Sequence, residues 1–83
     1  MLRKIMENKD DLEPIRPRPM SKAELSAMYA PNLKPASALN RLAMWIRHNP
    51  DLVAALAETH YNVRQQIFSS KQVRLIFEYL GEP

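Results

Sequence analysis

The chain has 83 residues, with 12 Lys+Arg against 9 Asp+Glu and a formal charge of +3. That length holds one domain with a modest core, and 46% hydrophobic with 25% charged residues suits a globular protein rather than a disordered one. No run approaches the roughly 18 apolar residues of a membrane span, the N-terminus turns polar at Glu7 before a secretory segment can form, and the lack of cysteine excludes disulfides, thiolate nucleophiles and thiolate zinc sites. The expectation is a cytoplasmic protein.

Residues 1–20 read as a flexible or extended arm. Pro14-Ile15-Arg16-Pro17-Arg18-Pro19 excludes helix and favours a polyproline-like path. Arg3, Lys4, Lys9, Arg16 and Arg18 nearly cancel Glu7, Asp10, Asp11 and Glu13. A helical domain is expected over 21–83. Ser21-Lys22-Ala23-Glu24 has the spacing of a capping box, in which the serine caps a backbone amide and the glutamate reaches back. Leu25, Met28 and Tyr29 then give one apolar stripe. Pro31 stops that helix, and Pro35 suits the first position of a second one. The second helix is expected to run to about His48, with Leu39, Leu42, Ala43 and Ile46 facing inward and Trp45 packed beside them. Asn49-Pro50-Asp51 marks a stop and a restart. A short third helix is expected over about 51–59, burying Leu52, Val53 and Leu56.

Tyr61, Val63 and Ile67 have the spacing of an extended stretch with one buried face. No glycine is there for a tight hairpin, so Tyr61–Phe68 reads as an irregular loop or one short strand. Ser69-Ser70-Lys71-Gln72 is a second capping box. Val73, Ile76, Phe77 and Leu80 follow at helical spacing, and Gly81, the sole glycine, stands just past the helix end. Leu75 and Tyr79 are expected off the core face, as an association surface. The fold class expected is all-α: four helices in a helix-turn-helix-like arrangement, with a short extended segment before the last.

Catalytic chemistry is hard to place on these residues. His48 and His60 lack companions at ligand spacing, so no metal is expected. No glycine-rich loop is available to cradle a phosphate. Ser21, Ser69 and Ser70 are accounted for as caps, and Glu24, Asp51, Glu58 and Glu78 lie on four separate segments. A chain this small also leaves little room for a ligand pocket. No enzyme activity and no cofactor are expected.

Binding has better support. From Lys34 to Arg74 six cations (Lys34, Arg41, Arg47, Arg64, Lys71, Arg74) face two acids, Asp51 and Glu58. Opposite the apolar stripe, the second helix carries Ser37, Asn40, Arg41, Met44 and His48, with Arg47 at the flank. Hydroxyl, amide and guanidinium groups are those that hold phosphates and read base edges. The candidate DNA-binding residues are therefore Lys34, Ser37, Asn40, Arg41 and Arg47, extended by Arg64, Lys71 and Arg74. The alternative is a protein-interaction, adaptor or homodimerising module without nucleic acid, for which Met44 and the Pro-Arg-Pro arm are equally natural.

Two resemblances bear on this. Glu24-Leu25, Tyr29, Leu42 and Trp45-Ile46-Arg47 are similar to the small excisionase and MerR-type helix-turn-helix families, which implies double-stranded DNA as a partner. A broader match begins with Ser21-Lys22-Ala23-Glu24-Leu25 and Tyr29-Ala30-Pro31, then Ala38-Leu39, Leu42 and Trp45-Ile46-Arg47. It continues through Asn49-Pro50, Leu52, Leu56, Tyr61 and Arg64-Gln65 to the closing run Gln72-Val73-Arg74-Leu75-Ile76-Phe77-Glu78-Tyr79-Leu80-Gly81-Glu82-Pro83. Over 21–83 the chain thereby resembles the bacterial family catalogued as domain of unknown function 4248. The resemblance implies a small helical fold and a glycine before Tyr61, where this chain has His60. It implies no particular activity.

Overall fold

Helix starts follow the caps. In the computed structural model, which describes residues 16–83, Ser21 is extended and its side chain accepts the Glu24 amide hydrogen, opening α1 (Lys22–Tyr29). Pro35 occupies the first turn of α2 (Pro35–Arg47). The Asn49 side chain accepts from the Leu52 amide at 3.0 Å and opens α3 (Pro50–Ala57). Ser69 and Gln72 form a complete reciprocal box at the head of α4 (Ser70–Leu80). The fold is a four-helix domain with one small antiparallel sheet, β1 (Met20–Ser21) paired with β2 (Ile67–Phe68) in the register Met20↔Phe68 and Ser21↔Ile67. The Lys22 amide donates to the Gln66 carbonyl at 2.9 Å and carries this pairing into the helix start.

The sheet corrects the lower boundary. Order was expected from Ser21, but Met20 is 1% exposed and belongs to the core. Residues 16–19 precede it in an exposed, irregular path; the expectation for 1–15 lies outside the described residues. The first capping box is only half made. Ser21 caps, while the Glu24 carboxylate turns to the Arg18 guanidinium at 2.6 Å instead of reaching back. That partner also holds the Glu24 carboxyl below its ordinary range.

The core joins every element: Met20, Leu25, Leu42, Ile46, Leu52, Leu56, Phe68, Val73, Ile76 and Phe77. On α2 the buried side is Ala38, Leu42 and Ile46, whereas Leu39 and Ala43, expected inward, are exposed. At about 100° per residue the buried side is rotated by roughly 50° from the expected stripe. The rotation turns α2 toward α1, its main packing partner, with the small residues Ser26 and Ala38 both fully covered. Trp45 lies on that flank, edge-on to Tyr29 with ring centroids 6.0 Å apart. On α3 Val53 is likewise exposed, with only Leu52 and Leu56 buried. Leu75 differs in the other direction: it packs against the core, and Tyr79 alone of the expected pair is exposed.

The end of α3 is a Schellman motif. The Tyr61 amide donates to the Leu56 carbonyl and the His60 amide to the Ala57 carbonyl, at 3.3 and 3.1 Å. The residue that must turn left-handed there is His60, with φ of 62°. The loop beyond is tied to α4 by the buried Gln72. Its Oε1 accepts from the Ser69 amide and from Gln65 Nε2, and its Nε2 donates to Thr59 Oγ1.

Candidate nucleic-acid interface

The eight residues singled out from the sequence occupy three places. Lys34, Ser37, Asn40, Arg41 and Arg47 are on or just before α2, and all are exposed. Arg64 is in the loop between α3 and β2, where its amide donates to Asn62 Oδ1. Lys71 and Arg74 stand together on the first turns of α4, where with Ser70 and Pro17 they line a shallow depression.

Along α2 the exposed face follows from the buried one. Asn40, Met44 and Ser37 lie nearly opposite Leu42, and Arg41 and Arg47 flank them about 120° apart around the axis. Arg41 is on the side toward α1 and Trp45. Arg47 is on the side toward α3, in the last turn, where a cation complements the helix dipole. No carboxylate occurs in the 13 residues of the helix, and no ion pair engages Lys34, Arg41 or Arg47 among the described residues. These guanidinium and ammonium groups are free to meet anionic groups from outside. Five residues, Ala30 to Lys34, connect α1 to α2, closed by the Leu33 amide on the Ala30 carbonyl at 3.2 Å.

A second feature was not foreseen. Between α2, α3 and the loop after α3 lies an open groove of about 540 Å³, lined by Ala43, Ile46, Arg47, Val53, Leu56, Ala57, Tyr61, Val63 and Lys22. The expectation that the chain has little room for a pocket is therefore overturned. Its floor is the Leu56–Tyr61 corner of the Schellman motif. At one end Tyr61 stacks on Phe68 with centroids 5.7 Å apart, and Lys22 Nζ lies over both rings while donating to the Val63 carbonyl at 2.6 Å. The sequence signal was present but misassigned: Ala43 and Val53, read as core, are groove wall.

Among the described residues no three His, Cys, Asp or Glu side chains converge as a metal site would require. No helix among them is long and apolar enough to cross a membrane.

The family model for the domain of unknown function DUF4248 matches residues 16–83, beginning before the first strand and running to the last residue. The chain belongs to the DUF4248 family. No curated protein and no solved structure matches it. The match takes in the irregular residues 16–19 along with the helices, so the Arg18–Glu24 pair and buried Met20 fall inside the DUF4248 region.

Proposed function

We propose that this DUF4248 domain is a helix-turn-helix-like DNA-binding module, regulatory or associated with a mobile element. The observation that carries the reading is the outward face of α2: wholly exposed, free of carboxylates, and set with Ser37, Asn40, Arg41 and Arg47. A single helix fits the major groove, which is about 12 Å wide. Placed there, Arg41 and Arg47 on either flank address the two phosphate backbones, while Asn40 and Ser37 between them face base edges. The excess of cations from Lys34 to Arg74 supplies the sequence-independent attraction on which such contacts build. So small a contact set binds weakly alone, so a dimer or a partner completes it.

The test is titration of labelled duplex DNA with the full chain across a salt series. About three to five phosphate contacts give a slope of log K against log salt near −3 to −5. Arg41→Ala with Arg47→Ala reduces that slope by about two units and leaves the thermal melt nearly unchanged, because exposed helix charges add little to folding. Asn40→Ala alters sequence preference without altering the slope. Absence of binding at low salt, or binding indifferent to the double substitution, overturns the reading. A second reading, a protein-interaction module, is favoured by a separate observation: the large exposed apolar side chains Leu39, Met44, Val53, Val63 and Tyr79.

A further inference from the structure

We infer that the groove between α2 and α3 is a docking site for a partner protein's segment that carries apolar and carboxylate side chains together. This reading makes no use of DNA contact and stands on different residues, Arg47 excepted. Two observations carry it, one apolar and one electrostatic.

The walls are hydrocarbon that the fold has no use for. Val53 is 44% exposed and Val63 76%, although both stand beside buried core. Leu39, one turn before Ala43 on the same side of α2, continues the apolar strip past the end of the groove. From Leu39 to Arg47 the strip is about 12 Å long at 1.5 Å per residue. That matches two turns of a docked helix or a few extended residues.

The charges on the lining all have one sign. Lys22 and Arg47 are its ionisable cations, and no carboxylate lines it. Of the acids nearest the lining in sequence, Glu24 is paired with Arg18, and Asp51 and Glu58 lie about 130° around α3 from Val53 and Ala57. Lys22 is held in place by the Val63 carbonyl and the two rings, and its remaining ammonium hydrogens are unassigned among the described residues. An incoming segment thus meets apolar walls and two cations. Leucine-type anchors with flanking glutamate or aspartate are complementary to both features. A basic amphipathic segment would meet like charge, and an acidic segment without apolar anchors would leave the walls wet.

The experiment is a titration of the isotope-labelled full chain, followed by backbone NMR signals, with three short synthetic peptides built from leucine and glutamate, leucine and lysine, or serine and glutamate. The leucine–glutamate peptide is expected to shift the signals of Ala43, Arg47, Val53, Ala57 and Val63 saturably, and the other two to leave them in place. Lys22→Glu with Arg47→Glu weakens the first peptide at least about tenfold and lets the leucine–lysine peptide in. Val53→Asp weakens it comparably. Should that variant unfold, Val63→Asp, at the more exposed wall, gives the same answer.

Equal binding of the leucine–lysine peptide, or shifts confined to other surfaces, overturns the inference. So do two further outcomes. The same shifts appearing with protein concentration alone assign the groove to a second copy of the chain. The same shifts induced by Asp10→Asn, Asp11→Asn and Glu13→Gln without peptide assign it to the chain's own acidic residues.

Discussion

His60 is the one residue other than glycine that adopts a positive φ among the described residues, and replacing it tests the turn that shapes the groove. An L-residue in the left-handed region costs about 1–2 kcal/mol relative to right-handed conformations. Glycine removes that cost but forfeits about 0.5–1 kcal/mol of backbone entropy on folding. The imidazole is exposed and makes no hydrogen bond among the described residues, so little else is lost with it. His60→Gly is therefore expected to stabilise the domain by about 0.5–1 kcal/mol, which raises Tm by about 2–8 °C at this size. His60→Ala keeps the Cβ and the strain, so it should melt at or slightly below the parent, histidine being somewhat better tolerated there than alanine. The assay is thermal and urea unfolding of the three proteins followed by circular dichroism. A glycine variant that melts with or below the alanine variant refutes the left-handed assignment at 60.

Gln72→Ala removes three hydrogen bonds at a buried position and strands the Ser69 amide, Gln65 and Thr59, so a loss of about 2–3 kcal/mol is expected in urea unfolding. Ser69→Ala should cost about 1 kcal/mol, as should Ser21→Ala, since each accepts one helix-start amide; melts equal to the parent would remove those caps from the account. Tyr29, whose phenol donates to the Gly81 carbonyl, is raised from 10.0 to about 12, chiefly by burial and then by Glu82. The fold favours its neutral form, so that contribution is intact below pH 10 and is lost as pH rises through about 12. Tyr29→Phe should flatten the stability–pH curve in that window and remove the phenol that titrates near pH 12 from the ultraviolet spectrum.

Local signals in the sequence were readable where a motif is contained in one segment. Asn49-Pro50 and Ser69–Gln72 act as their spacing requires, because cap and amide are three residues apart and nothing distant competes. Ser21–Glu24 fails by half because Arg18, on an irregular stretch that periodicity cannot place, takes the glutamate. Met20 was out of reach for the same reason: its burial depends on pairing with Phe68, far along the chain. The phase of α2 was misjudged because Leu39 and Ala43 fit an amphipathic pattern as well as Ala38 does. Only the close packing of α1 selects the side with the alanine. Ala43, displaced in this way, is groove wall, so the phase of α2 and the existence of the groove are hidden for one reason. The exposed polar face of α2 was legible in outline, since any inward side containing Leu42 and Ile46 leaves Ser37, Asn40, Met44 and Arg47 outside.

The central claim, that this face of α2 meets DNA, is tested most directly by mapping where a short mixed-sequence duplex perturbs the NMR signals of the isotope-labelled full chain at low salt. The account predicts shifts concentrated at Lys34, Ser37, Asn40, Arg41, Met44 and Arg47, fading together as salt rises. The core residues Leu42 and Ile46 serve as the buried reference on the same helix. A duplex that leaves α2 unperturbed, or acts only on Lys71, Arg74 and their neighbours, would contradict it.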